Sequence, residues 1–280
     1  MNQVLEVRDL TKQYPSFLLD HLSFTLEEEK ITGFIGRNGA GKTTTIHSLL
    51  GLIHPDDGEI RFWGMHFREN EQKIKQRIGF VSSGMTFYNK QKIGRITSVT
   101  REFYENWDEA RYRECLKLFS LEESKTPEQL SNGMKIKYLL SLALSHGADL
   151  LILDEPTSGL DPVSREELLE IFLHLRDEGK TILFSTHITS DLDKSADNIL
   201  YLAGGKLRAE SSLADFIAAY RLVEYGKDAP AASSPLLIGA RRSKEGYTAL
   251  VKAEDAAALD LLPQTCTLDE IMVHLEKGED

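Results

Sequence analysis

The stretch Gly36-Arg37-Asn38-Gly39-Ala40-Gly41-Lys42-Thr43-Thr44 near the start of the chain contains the phosphate-loop pattern G-x-x-x-x-G-K-[ST]. The run Ile31-Thr32-Gly33-Phe34-Ile35 before it has strand composition, and Ile46, Leu49 and Leu50 after it fall at the spacing of a helix face. The pattern therefore predicts a strand, a glycine-rich turn and a helix start, in that order. Glycine lets the backbone curl so that several N–H groups point into one concavity, and the helix dipole adds positive potential there. Phosphate is the anion that suits such a cradle, with Lys42 reaching β- and γ-phosphates and the Thr43 hydroxyl ligating Mg²⁺. Lysine and two threonines are not needed merely to make a turn.

The acidic balance of the chain, a formal net charge of -11 over 280 residues, argues against a general nucleic-acid binder, since phosphate backbones attract basic faces. Its two cysteines, Cys115 and Cys266, are too few and too far apart for a disulfide framework or a metal cluster, so a reducing cytosol is the simplest setting. Residues Met1 to Leu10 lack the apolar centre of a secretion signal, and no run approaches the roughly 18 apolar residues of a membrane-spanning helix. We expect a chain soluble by itself, with any membrane role exerted through a partner and no direct insertion.

Val4 to Asp9 and His21 to Leu26 alternate in the strand manner around a polar turn holding Pro15, an antiparallel element ahead of the loop. Tyr14 lies in that turn, placed either to stack on an adenine ring or to pack on its own turn. After a break at His54 to Gly58, Glu59 to Trp63 and Ile78 to Val81 read as strands. From about 85 to 146 the pattern turns helical, over Ile96 to Tyr104, Asp108 to Phe119 and Met134 to Ser145, as expected of an inserted helical subdomain. Its aromatics Phe87, Tyr88, Phe103, Tyr104 and Trp107 are either a docking surface or core.

Strand and helix then alternate: Leu150 to Leu153, Pro162 to Asp177, Thr181 to Ser185, a short helix near Asp191, and Ile199 to Leu202. Alternation of this kind predicts an α/β fold with a mainly parallel sheet covered by helices. A helix over Leu213 to Arg221 and a linker or long loop over Asp228 to Pro235 follow, then a hairpin from Leu236 to Gly239 and Tyr247 to Val251. A last helix carries Leu268, Ile271, Met272 and Leu275 as an apolar stripe. The expected division is residues 1–221 as the main domain and 222–280 as a small α+β appendage.

Leu150 to Leu153 ends in Asp154 and Glu155, and a buried strand delivers acids to the sheet edge where ligands bind in open α/β folds. Asp154 is placed to hold Mg²⁺ opposite Thr43, and Glu155 to face an attacking water. Leu130-Ser131-Asn132-Gly133-Met134 opens a helix, where Ser131 serves as an ordinary cap or, with Gly133, as an anion site.

Taken in order, these pieces resemble the nucleotide-binding subunits of ABC transporters. Leu130 to Met134 resembles the signature loop L-S-G-G-Q, Leu151-Ile152-Leu153-Asp154-Glu155-Pro156-Thr157 the second Walker motif, Ser158-Gly159-Leu160-Asp161 the loop after it, and His187 the switch histidine. The resemblance covers about Val4 to Tyr220 and implies a P-loop NTPase fold of the ABC ATPase type. It also implies ATP and Mg²⁺ as cofactors, with Asn38, Gly39, Ala40, Gly41, Lys42, Thr43 and Thr44 around the phosphates and Tyr14 on the adenine.

A head-to-tail pair is implied too, formed with a second copy or a similar ATPase subunit. Ser131 and Gly133 of one subunit then complete the other's site and Asp161 communicates between them, while Glu155 polarises water and His187 contacts the γ-phosphate. The remaining implied partner is a transmembrane permease, which would hold the subunit on the inner face of the cell membrane. A soluble ABC protein acting on nucleic acid or ribosomes is the alternative; such proteins usually carry two cassettes or a long coiled coil, and this chain has one cassette without heptads.

Two places depart from the family pattern. Ser82-Ser83-Gly84 stands where a glutamine usually touches Mg²⁺, so Ser83 is expected as a metal-side ligand through water. Asn132 and Met134 replace glycine and glutamine of the signature. Both departures look more like the subunits of compact ABC-2-type exporters of Gram-positive bacteria, including those for antimicrobial or toxic peptides, than like nutrient importers.

Overall fold

The computed structural model of the chain describes residues 3–82, 88–227, 229–244 and 246–277. Its centre is a six-stranded sheet in the order β10-β9-β3-β8-β7-β6: Lys206–Ser212 (β10), Asn198–Ala203 (β9), Ile31–Ile35 (β3), Thr181–Thr186 (β8), Leu150–Asp154 (β7) and Ile78–Ser82 (β6). Five of these run parallel and only β10 pairs antiparallel. Every residue of β3, β7 and β8 is buried, because the sheet is covered on both faces.

The two-residue period of a strand sorts the side chains. Phe34, Ile152, Leu183 and Leu200 face one apolar cluster, and Ile35, Leu151, Leu153, Ile182 and Phe184 the other. Each fully buried leucine or isoleucine contributes about 1.5–3 kcal/mol relative to exposure.

The first cluster is closed by the N-terminal antiparallel sheet, β2-β1-β4-β5, built from Gln3–Tyr14 (β1), Phe17–Glu27 (β2), Asp57–Phe62 (β4) and Met65–His66 (β5). Tyr14 pairs with Phe17, so Pro15 and Ser16 alone make the turn, and both strands run longer than the alternating stretches predict. Lys42–Leu49 (α1) and Phe67–Lys75 (α2) join this side through Ile46, Leu49, Phe67 and Ile74.

Helices cover the opposite face. Ile93–Thr100 (α3), Glu109–Leu118 (α4) and Asn132–Ser145 (α5) stand where the helical stretches are expected, and the hydroxyl of Thr97 ties them together, 2.8 Å from Tyr112 and 2.9 Å from Tyr138. The aromatics divide between surface and interior. Tyr88 and Phe103 are 80% and 72% exposed, while Tyr104 stacks on His146 at 3.9 Å and Trp107 packs on the core; Phe87 lies outside the described residues. α5 approaches β6 closely at Gly79, where a Cβ would sit 2.5 Å from that of Ala143.

Pro162–Asp177 (α6) and Thr189–Ser195 (α7) follow β7 and β8. Leu213–Ala218 (α8) is shorter than the helix predicted to Arg221, because Tyr220–Tyr225 (β11) enters a third sheet, β11-β13-β12, with Ile238–Arg242 (β12) and Tyr247–Lys252 (β13). Residues 230–233 make a short 3-10 turn within the expected linker. Leu268–Lys277 (α9) buries Leu268, Ile271 and Met272 in the same cluster as Leu192 of α7.

Candidate functional site

Parallel register decides which residues meet. Ile35 lies opposite Thr186, and Asp154 lies between Ser82 and Ser185, so three chains leave the sheet side by side at Gly36, Glu155 and His187. This is the carboxyl edge, where open α/β sheets bind ligands.

The loop leaving β3 enters α1 through Gly41, whose φ of 112° lies in the left-handed region that glycine occupies without strain. The first N–H to close a helical bond is that of Thr45, which donates to Gly41 O at 2.9 Å; those of Lys42, Thr43 and Thr44 precede the ladder and have no acceptor within the helix. Asn38, Gly39 and Thr43 are exposed, Thr44 is half-buried, and Ala40 and Gly41 are buried. Lys42 is only 4% exposed, and its ammonium donates to the carbonyls of Gly36 (2.7 Å) and Arg37 (3.3 Å). It curls back over its own loop, with its charge paired to Glu155 Oε1 at 3.3 Å.

On the facing strand, Asp154 is buried and accepts from Thr43 Oγ1 (3.1 and 3.3 Å to its two oxygens) and from Ser185 Oγ (2.7 Å). Glu155 turns out of β7 with φ of 49°, unusual for a residue with a side chain, and its N–H donates to Ser185 Oγ at 2.9 Å. Its second carboxylate oxygen lies 2.8 Å from His187 Nδ1. One acid thus links the loop lysine to the histidine.

The oxygens of Thr43 and Asp154 are hard donors within hydrogen-bond distance of each other, a set that fits Mg²⁺, which takes few protein ligands and completes its shell with water and phosphate. Among the described residues no group of three or more His, Cys, Asp or Glu could hold a metal by itself.

The structure therefore brings together Lys42, Thr43, Asp154, Glu155 and His187. Tyr14 sits half-buried at the hairpin end, 6.5 Å from the ring of Phe17, which itself packs at Gly41. Ser131 caps α5, accepting from the Met134 N–H at 3.2 Å, and Gly133 backs onto Leu160 and Ser164. Asp161 caps α6, accepting from the N–H groups of Val163 and Ser164 and from the Ser164 hydroxyl, which holds its carboxyl below the usual range. No hydrogen bond or ion pair among the described residues joins Ser131 or Asp161 to Lys42. The expected ligand Ser83 lies outside the described residues.

Sequence reasoning passed over three features. Ser185 is fully buried two residues before His187, where it and Thr186 follow the apolar Ile182 to Phe184, and a polar pair closing such a run was the available signal. Thr157 donates to the buried Asp191 at 2.6 Å, tying the segment after Glu155 to α7; burial pushes the Asp191 carboxyl above its ordinary range, while its other oxygen is 3.9 Å from Arg165 Nε. Finally, α9 lines a cleft of about 750 Å³ with Gly36, Arg37, Asn38 and His187, and Asp269 accepts from the Thr189 hydroxyl at 3.2 Å. No motif signals that contact.

Residues 19–158 match the family described as ABC transporter. The chain is 37% identical over 214 residues to the bacitracin transport ATP-binding protein BcrA of Bacillus licheniformis, covering 75% of this chain and 70% of that protein. It is 33% identical to the ABC-type transporter ATP-binding protein EcsA of Bacillus subtilis, over 76% of this chain and 88% of that one. Among solved structures, an ATP-binding subunit of an ABC transporter superposes with a TM-score of 0.68 at 29% identity, over 76% of this chain and 91% of the other. A dimeric ATP-binding cassette in a post-hydrolysis state bound to ADP and Pi shares the fold, with a TM-score of 0.66 at 22% identity, over 75% of this chain and 98% of that one.

Proposed function

The chain belongs to the ABC transporter family of ATP-binding proteins, and from that premise we propose that it dimerises around two ATP molecules and hydrolyses them to drive a separate permease. The observation that carries this reading is the chain of contacts Lys42–Glu155–His187 at the mouth of the phosphate loop, with Thr43 and Asp154 beside it. The N–H groups of the loop and helix start, those of Lys42, Thr43 and Thr44 among them, cradle the phosphates. A triphosphate is the stronger anion for Lys42, so its arrival releases Glu155 from that ion pair. Glu155 then orients a water in line with the γ-phosphorus and takes its proton as the bond to the β-phosphate oxygen breaks. His187, bonded to Glu155, steadies it and reaches the γ-phosphate. Thr43 and Asp154 would hold Mg²⁺, which supplies charge neutralisation at the β- and γ-oxygens.

Ser131 and Gly133 have no place in their own subunit's site and are assigned to the second subunit's, with Asp161 beside that junction and Tyr14 against adenine. No described helix is long and apolar enough to cross a membrane, so attachment to the inner face of the membrane falls to the permease, with the exposed Tyr88 and Phe103 as part of the docking surface. Relatives named for bacitracin transport favour an exporter of peptide, antibiotic or lipid-like cargo. Residues 1–221 are assigned to this ATPase unit and 222–280 to an extension.

The test is Glu155→Gln. It is expected to bind ATP within a few-fold of wild type, lose about 10²-fold or more of turnover, and accumulate as a dimer with ATP. Normal hydrolysis by this variant removes Glu155 from its role.

A further inference from the structure

We propose that Ser185 is a positioning residue for ATP hydrolysis, one hydroxyl that sets both acids of the site at once. The inference rests on the hydrolytic reading above. A serine hydroxyl has one hydrogen to give and lone pairs to accept with, and here both capacities are spent on adjacent residues of the facing strand. Ser185 donates to Asp154 Oδ1 at 2.7 Å and accepts the N–H of Glu155 at 2.9 Å. Parallel register puts Ser185 directly beside Asp154, and the residue is fully buried, so no water competes for either bond.

The two bonds fix different things. Holding Oδ1 sets the plane of the Asp154 carboxylate, so that Oδ2 lies 3.1 Å from the Thr43 hydroxyl, the arrangement a shared cation needs. Accepting from Glu155 N–H holds that residue in its left-handed turn, φ 49°, a conformation that persists only where its surroundings enforce it. That turn carries the Glu155 carboxylate out of the strand toward Lys42 and His187. An aliphatic residue at 185 leaves the Glu155 N–H without its acceptor and Asp154 held only by its longer bonds from Thr43, although the strand is otherwise intact.

Threonine and valine at this position have nearly the same shape and differ in the hydroxyl, so Ser185→Thr and Ser185→Val separate bonding from space. Two readouts are taken on the full chain: steady-state ATP hydrolysis, and equilibrium binding of a fluorescent ATP analogue titrated with Mg²⁺, which involves no turnover. Ser185→Val is expected to lower kcat by about tenfold or more while KM for ATP moves less, and to raise the Mg²⁺ concentration for half-maximal binding by about threefold or more. Analogue binding without Mg²⁺ stays unchanged, and Ser185→Thr keeps both values within about threefold of wild type. Ser185→Val matching wild type in both readouts overturns the assignment, and so does an equal loss in Ser185→Thr, since that marks lost space. A wild-type protein that neither binds nor hydrolyses ATP takes down the reading beneath as well, an outcome distinct from either.

Discussion

At the scale of single residues, burial decides chemistry that a residue's name leaves open. His146 follows α5, is 4% exposed, and stacks on Tyr104 with its Nδ1 3.2 Å from the carbonyl of Gln76. Burial pushes its pKa down to about 4, since a charged imidazole is poorly solvated there. In the unfolded chain the same ring takes its proton near pH 6.5. Between those values the unfolded state binds more protons, so stability falls as pH drops through the window, by about 3 kcal/mol in all. His146→Phe keeps the stack and cannot titrate. Its urea midpoint is expected to fall less steeply than that of wild type from pH 6.5 to 4; parallel curves would assign the acid sensitivity elsewhere.

Elements are fixed by how closely they approach, and α5 lies close against β6. Gly79 lets the helix sit where a Cβ would meet Ala143 Cβ at 2.5 Å and Leu151 Cδ2 at 2.7 Å. Ala143 has no rotamer with which to yield. Gly79→Ala is therefore expected to cost about 1–3 kcal/mol by overpacking, measured by denaturant unfolding, and an unchanged midpoint would mean that the helix slides freely on the sheet. Such sliding bears on function, because α5 carries Ser131 at its first turn while β6 pairs with the strand that carries Asp154.

For the molecule as a whole, completion of the site is a matter of assembly. Ser131 accepts from its own helix and Asp161 from α6, while Thr43 and His187 near Lys42 are exposed at the sheet edge. A site completed by a second subunit predicts that specific ATPase activity rises with protein concentration through the range where sedimentation detects dimer formation. Activity independent of concentration down to fully monomeric protein would place the whole reaction within one chain. Helix α9 belongs to this scale too, since Leu268, Ile271 and Met272 share a core with α7 while Asp269 bonds Thr189 at the cleft.

Local order was legible wherever the chemistry is consecutive in the chain. The phosphate loop, the acids after Leu153 and the bounds of α6 at Pro162 and Asp177 all follow from runs, periods and caps that read directly. Periodicity failed at Tyr220, where apolar residues suited to a helix extend a strand because β13 offers them a ladder. β10 and α2 escaped notice because each carries few large apolar residues, α2 burying only Phe67 and Ile74 and β10 burying none of its residues fully. Tertiary structure alone decided that Lys42 pairs with Glu155, that Ser185 spans two acids, and that α9 walls the cleft. The first two depend on the register of strands distant in sequence and the third on how α9 packs against α7 and β12, and contacts of either kind leave no mark in the order of residues.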